Sequence, residues 1–77
     1  MSIDNAILDF IKANPDSGLY EISNHIYDKD PDEWARAIDP VLACRGRCSK
    51  RLKSLIARNY LTYTNPTGKR ALYRIKE

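Results

Sequence analysis

The sequence predicts an α+β domain in which three or four helices precede a C-terminal two-stranded β-hairpin. Two patterns predict this class. Apolar residues recur at helical spacing over much of residues 3–59, and two short stretches of alternating apolar and polar residues follow them. The chain has 77 residues, which suits one small domain. Hydrophobic residues make up 43% and charged residues 30%, a composition typical of globular proteins rather than disordered ones.

The first two helices are predicted from apolar periodicity and from the turn between them. Residues 3–13 contain five large apolar residues at helical spacing, and Ser2 before them is a suitable N-cap. The turn-forming residues Asn-Pro-Asp-Ser-Gly at 14–18 end this helix. A second short helix is predicted from Leu19 to about Tyr27, where the apolar residues again follow helical spacing.

An acidic segment at about 28–40 comes next and is interpreted as an insertion. Its Asp-Pro pairs at 30–31 and 39–40 both favour helix starts, with Asp as the N-cap and Pro at the first helical position. The first pair predicts a short helix over 33–38, and the second predicts a new helix at a new angle. Trp34 is the only tryptophan and is predicted to fill the core, with a partner contact as the alternative.

The third helical region carries one apolar stripe from Val41 to its end near Asn59. Gly46 interrupts it, at a cost of about 1 kcal/mol inside a helix. Two arrangements stay open: one kinked helix over 40–59, or a separate helix that starts near Gly46. Asn59 suits the C-terminal cap because asparagine tolerates the left-handed conformation.

The last part of the chain predicts a β-hairpin. Residues 61–64 and 71–75 alternate apolar and polar side chains, and the turn Asn-Pro-Thr-Gly at 65–68 separates them. Tyr63 and Tyr73 lie in these strands. They are predicted to pack on the sheet rather than to stack on nucleic-acid bases.

The distribution of charge is the most informative feature of the sequence. Residues 1–44 contain three basic and nine acidic residues, whereas residues 45–77 contain ten basic residues and one acid, Glu77. A surface designed only for solubility would mix both signs. The separation of charge therefore predicts a face that binds a polyanion.

No enzyme, metal site or cofactor is predicted. His25 is the only histidine, it falls on the polar side of the second helix, and no cysteine or serine partner is evident for it. Cys44 and Cys48 are predicted to be reduced and half-buried, and two cysteines do not complete a zinc site. The acids of 28–39 partly match a calcium loop, but Glu33 occupies the position that requires glycine.

Membrane insertion and secretion are not predicted either. No apolar run approaches the roughly 20 residues that span a bilayer. Residues 1–5 lack the basic region and cleavage site of a secretory signal. We therefore expect a complete, soluble, cytoplasmic protein, associated with the nucleoid if it binds DNA.

A specific resemblance appears in the basic half. The run S-K-R-L-K-S-L-I-A-R-N-Y-L-T-Y-T-N-P-T-G-K-R-A-L-Y-R-I resembles the recognition helix and wing of winged helix-turn-helix domains in small prokaryotic, archaeal or phage transcriptional regulators. The resemblance places the recognition helix at about 46–59 and the wing at about 61–75 of a single domain, 1–77. Residues 19–27 are more weakly similar to the second helix. About 18 residues separate Tyr27 from Arg45, where this family usually has a short turn.

The resemblance implies sequence-specific binding of double-stranded DNA, transcriptional regulation and a homodimer. With the leucines of the third helix facing inward, Arg47 or Lys50 would reach guanine edges, while Lys53 would meet phosphates. The predicted DNA contacts are Arg45, Arg47, Ser49, Lys50, Arg51, Lys53 and Ser54 of the helix, with Lys69 and Arg70 of the wing. The predicted dimer contacts are Phe10, Trp34 and Ile38. The alternatives are a protein–protein module that binds an acidic partner, and an RNA-binding domain.

Overall fold

Three α-helices and a C-terminal two-stranded antiparallel sheet make up the protein. The computed structural model describes residues 3–77, so the predicted N-cap Ser2 lies outside the described residues. The elements are α1 (Ile3–Ala13), α2 (Leu19–Lys29), a 3-10 helix (Pro31–Trp34), α3 (Pro40–Ala57), β1 (Leu61–Thr64) and β2 (Leu72–Ile75). The α+β class and the order of helices before hairpin are confirmed. Along residues 3–77 no helix is both long and apolar enough to cross a membrane.

The core lies between the three helices and the first residue of β1. Ile7 of α1, Ile22 of α2 and Leu52 of α3 are completely buried, and burying one such side chain contributes about 1.5–3 kcal/mol. The other buried apolar residues are Ala6, Ile11, Ile26, Trp34, Cys44, Cys48, Leu55 and Leu61. The buried residues of α3 recur every three or four positions, so one face of this helix is inside and the opposite face is free.

α3 is a single helix of 18 residues that passes through Gly46 without interruption. Asp39 caps its N-terminus, because its Oδ1 accepts a hydrogen bond from the backbone N–H of Leu42 at 3.1 Å. At the other end Asn59 adopts the predicted left-handed conformation, with φ of 66°. Its N–H donates to the Ile56 carbonyl at 3.0 Å, which is part of a Schellman motif. The predicted N-cap Asp39 and the left-handed conformation of Asn59 are confirmed, but the C-cap residue is Arg58, one position before Asn59.

The predicted helix start at Asp30-Pro31 is confirmed, but the predicted helix over 33–38 does not continue beyond Trp34. A 3-10 helix covers only Pro31–Trp34, and residues 35–39 form turns and bends. Pro40 disfavours helical backbone at the residue before it, so too few residues remain for a stable α-helix. Burial of Trp34 fixes the segment instead, since this side chain is only 7% exposed. Its predicted core position is confirmed.

The hairpin is attached to the turn between α1 and α2. Its register pairs Leu61 with Ile75 and Tyr63 with Tyr73, whose rings lie 6.3 Å apart. A bridge between Ser17 and Tyr73 adds two backbone hydrogen bonds: Asp16 N–H to the Tyr73 carbonyl at 3.0 Å, and Tyr73 N–H to the Ser17 carbonyl at 2.9 Å. This bridge fixes the base of the hairpin beside the start of α2.

Candidate nucleic-acid interface

The solvent-facing side of α3 carries two lysines without a countercharge. Lys50 and Lys53 are exposed, and neither forms an ion pair within residues 3–77. Their neighbours on this face are small or apolar. We call the row the α3 ridge: Leu42, Gly46, Lys50, Lys53 and Ala57, all exposed and spaced three or four residues apart. The ridge presents two ammonium groups opposite the buried face of the helix.

The edge of α3 that faces α2 carries Arg45 and Ser49, which are both half-buried. The Arg45 guanidinium carbon lies 4.3 Å from the centre of the Tyr20 ring. Its Nε is buried and has no hydrogen-bond partner in the described part of the chain. This cation–π contact holds Arg45 across the first turn of α2 and leaves its charge without an acidic partner.

The opposite edge of α3 carries arginines that are paired with acids. Arg51 donates to both carboxylate oxygens of Asp4, at 2.7 and 2.6 Å, and Arg58 donates to the same carboxylate at 3.0 Å. Arg47 lies 3.4 Å from a Glu33 carboxylate oxygen. Ser54 on this edge is half-buried. Because acids of the N-terminal half neutralise them, these arginines present less charge than the sequence suggested.

The C-terminal β-hairpin is also tied to the N-terminal half. Arg70 binds Glu21 through two contacts of 2.7 and 2.6 Å. Arg74 binds both oxygens of Asp16, each at 2.6 Å. Lys69 is exposed and forms no ion pair in residues 3–77, so it is the free cation closest to the turn.

The first turn of α2 lies between α3 and the wing. Tyr20 contacts Arg45 of α3, and the next residue, Glu21, contacts Arg70 of the wing. A Cβ at Gly18 would overlap the Arg70 guanidinium and the Glu21 carboxylate, so a larger residue there would require these side chains to shift. Arg45 of α3 and Arg70 of the β-hairpin therefore contact the same end of α2. The predicted site residues are thus divided between a free group (Arg45, Ser49, Lys50, Lys53, Ser54 and Lys69) and an acid-paired group (Arg47, Arg51 and Arg70).

The ion pairs make a prediction about acid stability. Hydrogen bonds from Arg51, Arg74 and Arg70 lower the pKa values of Asp4, Asp16 and Glu21, respectively, from the usual 3.8 and 4.5. A carboxyl with a lowered pKa in the folded state stabilises the fold above its unfolded pKa, and this stabilisation is lost as pH falls through the folded value. We expect the free energy of unfolding, measured by urea titration, to decrease as pH falls from 5 to below 4. Constant stability down to pH 3 would contradict these pairs.

The cysteine and histidine side chains are wholly or partly buried. Cys44 and Cys48 are reduced and completely buried, rather than half-buried as predicted, and burial raises the pKa of Cys48 to about 12. His25 does not face away from the core as predicted: it is half-buried, with its ring 4.6 Å from that of Phe10. No group of three or more potential metal ligands occurs in this part of the chain.

Comparison of the chain with protein-family models, curated proteins and solved structures gave no match.

Proposed function

We propose that this chain is a winged helix-turn-helix protein that binds double-stranded DNA sequence-specifically and regulates transcription. α3 would lie in the major groove, and the wing would contact the adjacent backbone or minor groove. One observation supports the proposal: Arg45 of α3 and Arg70 of the hairpin contact neighbouring residues, Tyr20 and Glu21, at the start of α2, and the free cation Lys69 directly precedes Arg70. A groove-binding helix and a backbone-binding wing need this placement.

The α3 ridge has the shape and charge that the major groove requires. The groove is about 12 Å wide and admits one helix. Gly46 and Ala57 add almost no bulk to the ridge, so the helix backbone can approach base edges closely. Lys50 and Lys53 lie between them, within the part of the helix that would enter the groove. They supply the positive charge for phosphate oxygens or guanine acceptors.

The attachment of the wing supports the same mode. Ser17–Tyr73 pairing and the Arg74–Asp16 ion pair hold the base of the hairpin, and the residues of the turn at 65–68 are exposed. Lys69 follows the turn directly. Because the base of the hairpin is fixed, Lys69 can contact a phosphate with little loss of side-chain and loop conformational entropy.

Gly46 offers a test in which stability and binding change in opposite directions. A Cβ there would meet no atom within 4 Å, so the fold does not need glycine at this position. We expect Gly46→Ala to stabilise the protein by about 0.5–1 kcal/mol. The variant should nevertheless bind DNA several-fold more weakly, and Gly46→Leu more weakly still. Thermal unfolding and fluorescence anisotropy measure the two effects. Equal or tighter DNA binding by Gly46→Leu would contradict close approach of the ridge to DNA.

The function itself is tested by competition among polyanions. Wild-type protein bound to a labelled DNA duplex is challenged with unlabelled duplex DNA, duplex RNA or polyglutamate. The proposal predicts binding of the labelled duplex at low salt and the strongest displacement by duplex DNA. Stronger displacement by polyglutamate would favour an acidic protein partner, and stronger displacement by RNA would favour RNA binding. Absence of duplex binding at low salt would refute the proposed function.

A further inference from the structure

A cavity of about 270 Å³ lies where α1, α2, the 3-10 helix and α3 meet. It is lined by three apolar residues, Ile3, Ala6 and Ile26, and by four charged residues, Lys29, Asp30, Glu33 and Arg47. The apolar residues, which we call the floor, are buried or half-buried, whereas the charged residues, which we call the rim, are all exposed. No small-molecule ligand is evident from the sequence, because the lining residues come from distant parts of the chain.

The rim carries two positive and two negative groups, and their mutual pairing is weak. Lys29 and Asp30 form no ion pair within residues 3–77. Glu33 and Arg47 form the longest ion pair in this part of the chain, at 3.4 Å against 2.6–3.0 Å for the others. Both side chains are about half exposed, so their pairing contributes little to stability and is readily exchanged for another partner. The rim can therefore accept an anionic and a cationic group of one ligand.

We propose that this cavity binds a free α-amino acid with an aliphatic side chain, such as leucine. The carboxylate of the ligand accepts hydrogen bonds from Lys29 and Arg47, and its ammonium group donates to the carboxylates of Asp30 and Glu33. Its side chain lies on the floor and removes that apolar surface from water. The rim has no net charge, which matches a zwitterion, whereas an anion or a cation alone would face two like charges.

The size and lining of the cavity narrow the ligand class further. Pockets for drug-sized ligands have volumes of about 300–1,000 Å³, so a cavity of about 270 Å³ suits a smaller molecule. A polar ligand side chain on the floor would lose water without gaining a hydrogen bond, since the floor residues have no polar side-chain atoms. Because the rim is exposed and the ligand is small, we expect a dissociation constant on the order of 0.1–1 mM.

Titration of the wild-type chain with leucine, followed by the amide signals in NMR spectra, tests the proposal. Saturable shifts should concentrate at residues 3–6, 26–34 and 47, which surround the cavity. Leucinamide lacks the carboxylate and N-acetyl-leucine lacks the ammonium group, so each should bind at least about tenfold more weakly than leucine. Absence of saturable shifts at about 10 mM leucine, or equal binding of either analogue, would overturn the proposal.

Two rim substitutions with matched controls test the assigned residues. Lys29→Met and Asp30→Asn each remove one rim charge, and since both residues are exposed the variants should fold normally by circular dichroism. Each should weaken leucine binding about tenfold. The controls, Lys12→Met and Asp28→Asn, make the same charge changes at exposed residues outside the lining and should bind leucine as wild type does. Equal losses in a variant and its control would overturn the assigned site.

The outcome for the cavity is separate from the outcome for DNA binding. The leucine titrations contain no DNA, and the competition among polyanions contains no amino acid. If leucine fails to bind while duplex DNA binds, the proposed function stands and the cavity assignment falls. If leucine binds as expected and duplex DNA does not, the reverse holds.

Discussion

Replacing both Lys50 and Lys53 by alanine is expected to weaken binding to duplex DNA by about ten- to a hundredfold at low salt. These residues are exposed and have no acidic partner in residues 3–77, so their charge is available to phosphates. Neither side chain contributes to the core, and alanine favours helix, so stability should be unchanged or slightly higher. Fluorescence anisotropy with a labelled duplex measures the affinity.

The matched control for this double substitution is Lys12→Ala with Lys29→Ala. These lysines are also exposed, on α1 and α2, and the net charge changes by the same amount. The control should bind DNA within a few-fold of wild type. Equal losses in the two double variants would mean that overall charge controls binding, and this result would contradict a specific role for the α3 ridge.

Asp4→Asn is expected to lower stability and raise DNA affinity in the same molecule. Asp4 accepts hydrogen bonds from Arg51 and Arg58, so its carboxylate joins the start of α1 to the second half of α3. Loss of its charge should cost about 1 kcal/mol of unfolding free energy, since the arginines are partly exposed and screened by solvent. The substitution also frees the guanidinium groups of Arg51 and Arg58, beside the α3 ridge. Binding to duplex DNA should become several-fold tighter.

Asp9→Asn is the control for this prediction. Asp9 is exposed on the same helix and forms no ion pair in residues 3–77, while the change in net charge is identical. Its effect on affinity should be clearly smaller than that of Asp4→Asn. If Asp4→Asn bound DNA no better than Asp9→Asn, the arginines held by Asp4 would not lie near the bound DNA.

The sequence predicted those parts of the fold that depend on local signals. Three residues lie where the backbone needs them. Asp39 caps α3 before Pro40, and positive φ is adopted by Asn59 after α3 and by Gly68 in the turn, which has φ of 73°. The continuity of α3 through Gly46 was left open, because the penalty for glycine is small compared with the packing of a whole helix face. The 3-10 helix was missed because the burial of Trp34, a tertiary contact, decides its geometry.

The sequence predicted which basic residues the candidate site contains, but not which of them form ion pairs with acids. The ten basic residues of 45–77 are evident in the sequence, yet five of them form ion pairs in the fold: Arg47, Arg51, Arg58, Arg70 and Arg74. The partners of Asp4, Asp16 and Glu21 are 47 to 58 residues away, so no local pattern shows them. The burial of apolar residues could not be predicted fully either. Val41 was assigned to the inward stripe of α3 but is 39% exposed.

The salt dependence of DNA binding tests the central claim most directly. Contacts from Arg45, Lys50, Lys53 and Lys69 to phosphates would give a slope of roughly −3 to −4 for log affinity against log salt concentration per chain. Lys50→Ala with Lys53→Ala should make this slope shallower by about 2. A wild-type slope near zero, or a slope that the double substitution leaves unchanged, would contradict the account of α3 as a DNA-binding helix.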